Sequence, residues 1–365
     1  MNMTDMARKT LFAFLTLICA ITFFTGCSTN NPEEVVVEPF FNYRYASAEE
    51  GRQILLSNTA YFNSHTQADI EWKTRGMANN IEEFTALYAS QIQDFTEEEK
   101  KALDAVLRIN EVRFNYLGIR LPAMEEITFI KCSMEYEGYA GGFTLGNSIF
   151  LGSFVLQILV DQSHGKQYYS PNYDEFMFYY APVITIHEVF HCLSRNDASF
   201  RQRLYSLIGF TVMDHEVEFG PTVRKRIFSN PDVERFDNWA EFTINGEKRR
   251  CILVAVYKCS YADIAATDPD ASLYNYLECA LVPLDAPDTL IPVEQASDFY
   301  EIVGANTTYL LAAEECLADN FGFVFGYGFN GYYSYGNDEF HLVPYPSPQL
   351  IQGIYETMLA FYPRQ

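Results

Sequence analysis

The sequence predicts an α+β protein, on three observations. Residues 46–118 carry apolar side chains at helical spacing behind two capping-box sequences. Residues 126–160 and 239–257 switch to β-branched and aromatic stretches punctuated by Gly and Asn-Gly turns. Between them, 184–193 is uncharged and largely apolar apart from two His and one Glu, as suits a buried helix. With 365 residues and 48% apolar content, one domain with insertions fits better than two separate ones. The net charge of −23 argues against nucleic acid and against electrostatic docking on anionic lipid.

Residues 1–26 read as a targeting segment outside the fold. Arg8 and Lys9 precede the apolar run 11–24, which is too short for a comfortable membrane span. The run ends Phe24-Thr25-Gly26-Cys27-Ser28. Small residues directly before a Cys resemble the bacterial lipoprotein signal, with Phe24 in place of the usual aliphatic residue. That resemblance implies cleavage before Cys27 and a lipid there, anchoring the protein to the cell envelope rather than spanning a membrane. Residues 27–45 follow as a polar, acidic tether. Cys19 leaves with the signal, and Cys132, Cys192, Cys251, Cys259, Cys279 and Cys316 remain. An even number in an exported chain allows disulfides. Cys192 and Cys316 read as core, while Cys251, Cys259 and Cys279 are the better disulfide candidates.

Taken in order, Ser47-Ala48-Glu49-Glu50 and Thr96-Glu97-Glu98-Glu99 open helices, the second with Leu103, Val106, Leu107 and Phe114 on one stripe. His65 reads as a surface residue. Ile127-Thr128-Phe129-Ile130 reads as a strand, and 141–151 as two strands turning at Gly146-Asn147. Residues 143–151 read either as a structural hairpin only or as a strand edge to which an extended peptide could add, bordering a substrate groove. Pro182 fits the first turn of the next helix, or a kink in it. That helix ends near 194–197, and another starts near 198. Trp239 to Tyr257, with Asn245-Gly246 at its middle, is a hairpin inside an insert at about 211–290. Asp214-His215-Glu216 reads as a solvated acidic stretch.

The chemistry is concentrated in His187-Glu188-Val189-Phe190-His191, an H-E-x-x-H motif. On a helix the two His project from one face, where both imidazoles can bind one Zn²⁺. Glu188 flanks the metal, where a general base takes a proton from water. A catalytic zinc site takes three protein ligands plus water. One source of the third is the amphipathic stretch 309–321, where Glu315 and Asp319 lie one turn apart. Glu315 would bind the metal and Asp319 would orient one His ring. Glu314 is the off-by-one alternative, about 100° round the helix, so only one of the pair is expected to point inward. The other source is Asp197, in a metzincin-like spacing with Ser194 where that pattern has Gly.

With H-E-x-x-H followed on a later helix by Glu315-Cys316-Leu317-Ala318-Asp319, the chain resembles the gluzincin zincins. It is also similar to exported bacterial proteins that share H-E-x-x-H and a later E-E-x-x-A-[DE]-N-F segment. The resemblance covers roughly 140–325. It implies a zincin-like metallopeptidase domain over 119–365, with a helical N-terminal part at 46–118 and a β-hairpin insert. It implies zinc held by His187, His191 and Glu315, with Glu188 as base and Asp319 behind a His. The expected activity is zinc-dependent hydrolysis of a peptide or protein substrate; the alternative is a non-catalytic surface binding module on the same scaffold. After the site, 322–340 is rich in Gly and aromatics and is expected to form a mobile wall. Tyr327 and His341 are the oxyanion or substrate candidates there. Ser347-Pro348 opens a final helix through 362.

Overall fold

The computed structural model describes residues 41–165, 171–336 and 339–364. The expected signal segment, Cys27 and the expected tether up to residue 40 lie outside the described residues. The architecture is mixed α and β with open sheets, in keeping with the α+β class.

The chain opens with β1 (Tyr43–Tyr45), then α1 (Ala48–Ser57), α2 (Thr59–Ser64), α3 (Gln67–Thr74), α4 (Ile81–Ser90), β2 (Ile92–Gln93) and α5 (Glu97–Tyr116). Thr96 and Glu99 close a full capping box at α5. At α1 only half of the expected box forms. Ser47 accepts the Glu50 N–H, but the Glu50 carboxylate pairs with Arg44 at 2.6 Å. His65 is not a surface residue: its ring packs 4.5 Å from Tyr61 and 4.7 Å from Phe84. Burial there holds its pKa well below the usual His value.

The first half is more than a helical cap, because β1 and β2 both join the sheet that follows. That sheet adds β3 (Ile127–Cys132), β4 (Gly142–Leu145) and β5 (Ser148–Gly152) in the order β1-β3-β5-β4, with β2 also on β3. β1, β3 and β5 run parallel, whereas β4 is antiparallel to β5 and forms the edge.

Next come α6 (Ser153–Ser163) and α7 (Pro171–Asn196), the helix that carries His187 and His191. Helix α7 begins earlier than its expected start and encloses Pro182. An internal proline costs roughly 3 kcal/mol. Helix α7 has the packing to offset it, since its contact with α12 (Ala313–Gly326) is the most extensive between any two elements.

Helix α8 (Ala198–Leu207) leads into the expected insert, which holds β6 (Thr211–Val212), α9 (Pro221–Arg224), β7 (Asn238–Ile244), β8 (Glu247–Tyr257), α10 (Tyr261–Ile264) and β9 (Leu277–Pro283); β10 (Ile291–Pro292) and α11 (Phe299–Val303) follow it. Strands β6 to β10 form an antiparallel sheet ordered β10-β9-β8-β7-β6, so the sheet extends past the expected end of the insert. The β7–β8 turn is Asn245-Gly246, with φ of 52° and 84° as a two-residue hairpin turn requires. All six described cysteines are free. Register keeps Cys251 and Cys279 apart: Cys251 faces Pro283, while Cys279 faces Ala255, four residues along β8. That offset is about 13 Å, well beyond the reach of a disulfide.

The chain ends with β11 (Tyr332–Gly336), β12 (Glu339–Val343) and α13 (Pro348–Phe361). Part of the expected mobile wall is helical instead. Gly322 and Gly326 lie inside α12 and form its contact with α7. A Cβ on Gly322 would sit 2.9 Å from the Val183 carbonyl oxygen, and one on Gly326 would sit 2.2 Å from Val183 Cγ2. The two helices run antiparallel, with Val183 against the glycines and His187 against Asp319.

Gly326→Ala should therefore destabilise the protein by up to about 2 kcal/mol, the overpacking penalty of about 1–3 kcal/mol less the helix-propensity gain of about 1 kcal/mol. Val183→Ala in the same chain should restore part of the loss. Denaturant midpoints measure both, and an unchanged midpoint for Gly326→Ala would show that the helices have room to part.

Candidate metal centre

Helix α7 presents His187 and His191 one turn apart, with ring centroids 4.9 Å from each other. Helix α12 answers with three carboxylates. Glu315 Oε2 lies 3.1 Å from His187 Nε2 and 3.6 Å from His191 Nε2. The opposite nitrogens are tied back: His187 Nδ1–H donates to Asp319 at 2.9 Å, and His191 Nδ1–H to Glu314 at 3.0 Å. Each orienting carboxylate is itself fixed. Glu314 accepts the Ser194 hydroxyl at 2.9 Å and the Tyr205 hydroxyl at 2.5 Å, and Asp319 accepts the Thr307 hydroxyl at 2.5 Å. Glu315 Oε1 accepts the amide of Asn230.

This pattern fits a cation. His187, His191 and Glu315 each offer an atom within 4.8 Å of the others, and so do Glu188, His191 and Asp232. Donors on one tetrahedral zinc stand about 3.3 Å apart, given bonds of about 2.0–2.1 Å. His191 Nε2 is buried and has no hydrogen-bond partner, which is rare for a nitrogen in a protein interior. Both His present Nε2 inward with Nδ1 held by a carboxylate, the arrangement that sets the tautomer of a metal-bound imidazole.

Glu188 stands beside the pair. Its Oε2 accepts the Thr144 hydroxyl at 2.8 Å, from the edge strand β4. Its Oε1 lies against Gly142, where a Cβ would stand only 2.6 Å away. Glycine at 142 is thus what lets β4 approach the carboxylate. The group is deeply buried, and its exposed margin is the His187 and Asp319 side, at 10% and 19% side-chain exposure. Tyr309 packs there, its ring centroid 6.3 Å from that of His187.

Burial raises the Glu188 pKa, and the two His only partly oppose it, so the carboxyl stays above its ordinary value. Burial alone would lower both imidazoles. For His187, hydrogen bonds to Asp319 and Glu315 override it; for His191, the charge of Asp232 with Glu314 and Glu315 pushes the pKa up to about 10. Burial likewise opposes ionisation of Glu315, but its hydrogen bond to His187 and the nearby His191 hold it well below the carboxylate range. Asp232 is raised well above its usual value by burial, with Glu188 and Glu315 adding to the effect.

Five of the expected residues converge: His187, Glu188, His191, Glu315 and Asp319. Both Glu314 and Glu315 point inward, correcting the expectation that only one could. They serve different atoms, Glu315 facing the Nε2 nitrogens and Glu314 reaching His191 Nδ1. Asp197 caps α8 through the Phe200 N–H and accepts the Tyr362 hydroxyl, so it is committed elsewhere. Tyr327 follows α12 with its ring on Phe323, and His341 lies on β12 opposite Ser334; neither is among the residues grouped around the His pair. Asp214 and His215 pair with each other on the surface. Sequence reasoning missed Thr144, Asn230 and Asp232, which come from a strand edge and an irregular stretch without periodicity. No known protein family, curated protein or solved structure matches the chain.

Metal uptake should be coupled to protons. Both imidazoles have raised pKa values, so a cation held there would compete with protons for them. Calorimetry in buffers of different ionisation enthalpy should show more than one proton released per zinc; no release would contradict the charge assignment. Relative to an unfolded pKa of about 6.5, His191 stabilises the metal-free fold fully below that pH. Its contribution should fade as pH rises through about 10.

Proposed function

We propose that this protein is a zinc-dependent peptidase of the zincin kind, with the ligand pattern of gluzincins. The observation that carries the reading is the pair of Nε2 nitrogens turned to one Glu315 oxygen while both Nδ1 nitrogens are held by carboxylates. Zinc, when bound, supplies a Lewis acid that polarises a carbonyl and acidifies water. His187, His191 and Glu315 would hold it, and Asp319 and Glu314 fix the rings.

Glu188 takes the proton of the attacking water and returns it to the leaving amine. Its raised pKa suits both halves of that task. The Thr144 hydroxyl anchors one of its oxygens and leaves the other to exchange the proton. A peptide or protein substrate would enter on the exposed His187 and Asp319 side. The acidic surface argues against nucleic acid as a partner.

The second reading, a non-catalytic binding module on the same scaffold, is favoured by one observation: the His191 end of the group is buried completely. Glu188→Gln separates the two. It should keep zinc in elemental analysis and lose turnover on a peptide library by about 10²–10⁴-fold. Zinc without cleavage of any peptide by the unaltered protein would favour the binder, and full activity in the variant would end the peptidase mechanism.

The anchor belongs to the same proposal. Residues 8–28 support export and lipid attachment at Cys27 in a bacterial envelope. Mass spectrometry of the mature N-terminus should find a diacylated Cys27; an unmodified peptide beginning elsewhere would refute it.

A further inference from the structure

The stretch 229–236 belongs to no helix or strand, yet it runs buried past the His pair at Asn230 and Asp232. It is fastened at both ends. The Ser229 N–H donates to Asp69 at 2.9 Å, and its carbonyl accepts Lys73 Nζ at 2.9 Å. Arg195, in the last turn of α7, donates to the carbonyls of Pro231 and Asp232 at 3.3 and 3.2 Å and pairs with Glu234 at 3.0 Å. This strap also covers the edge of β4. The Thr144 N–H donates to Asp232 Oδ1 at 2.7 Å and the Gly146 N–H to Glu234 at 3.3 Å. The Thr144 N–H is a donor that an extended peptide would need in order to add to that edge, and Gly146 lies in the turn beside it.

Asp232 Oδ1, oriented by Thr144, stands 3.8 Å from His191 Nε2. That nitrogen is the buried one with no hydrogen-bond partner. A single imidazole nitrogen takes only one cation. The two convergent groups share His191 without merging into one set, so an ion on that nitrogen has Asp232 as a neighbour that must draw in to join His187 and Glu315.

We propose that Asp232 is a fourth protein donor to this metal centre, beside His187, His191 and Glu315. The inference rests on the zinc reading above and adds to it. The position that water takes in an open catalytic site is held in the resting protein by the chain's own carboxylate. The centre is then latent: Asp232 must leave, and the strap must free the β4 edge, before water and an extended substrate can take their places.

Cobalt-substituted protein tests this without an activity assay, with azide as the probe for an open position. The unaltered protein should bind Co²⁺, and azide should leave its visible spectrum unchanged. Asp232→Asn keeps an oxygen for the Thr144 N–H but is a poor donor. It should bind Co²⁺ at least about tenfold more weakly, the lower bound for losing even an outer partner of a metal site. Its spectrum should shift with azide. Unchanged affinity in Asp232→Asn overturns the inference, and so does a wild-type spectrum that azide shifts as readily. The wild-type azide titration needs no variant, so it decides even if Asp232→Asn does not fold. A wild-type protein that takes up neither cobalt nor zinc overturns the metal reading itself, before Asp232 comes into question.

Discussion

The close contact between α7 and α12 is the constraint on which the site depends. Two imidazoles on one helix and three carboxylates on the other meet only if the backbones approach within the reach of short side chains. Gly322 and Gly326 permit that approach against Val183. The aromatic layer around them, Phe190 on Phe321 at 5.3 Å and Phe114 on Phe325 at 4.2 Å, keeps the helices from separating. Packing sets the distance, and the distance lets Glu315, Glu314 and Asp319 each find a different imidazole nitrogen.

The charge balance then leaves room for a cation. Glu188, Asp232, Glu314, Glu315 and Asp319 surround two imidazoles, and the first four carboxylates are buried. Burying unpaired carboxylates is expensive, and the carboxylates in turn raise the pKa of both imidazoles, favouring the charged ring that offsets them. A divalent ion displacing two imidazole protons would leave the total charge of the cluster unchanged, so the same carboxylates could balance either.

The sequence reveals the part of this site that obeys a period. His187, Glu188 and His191 follow from a helical motif, and Glu315 with Asp319 from a second helix with acids one turn apart. Glu314 was legible as a residue but not in its role. A projection on one helix says which way a side chain points, but not that His191 offers a nitrogen on either side. Asp232, Asn230 and Thr144 were not legible. Their partners lie far along the chain, and neither a strand edge nor an irregular strap has a repeat to read. The fold divides in the same way. The strands at 127–132 and 142–152 and the Asn245-Gly246 hairpin follow from local pattern, whereas Pro182 within a helix, His65 among aromatic rings and the unpaired cysteines are set by tertiary packing and register.

The N-terminal helices take their place in the same scheme through Lys73. Its ammonium is fully buried and held by Glu137 at 2.7 Å and Tyr61 at 2.9 Å. Tyr88 donates to the same Glu137 oxygen at 2.6 Å. A buried ion pair of this kind contributes little net stability beside an apolar replacement, but breaking one partner is costly. Its value here is positional. Lys73 also donates to the Ser229 carbonyl, and Asp69 takes the Ser229 N–H, so α3 fixes the point from which Asn230 and Asp232 reach the His pair. The region at 46–118 is thus built into the candidate site, and α3 takes part in setting the surroundings of His191 together with the helix that carries the motif.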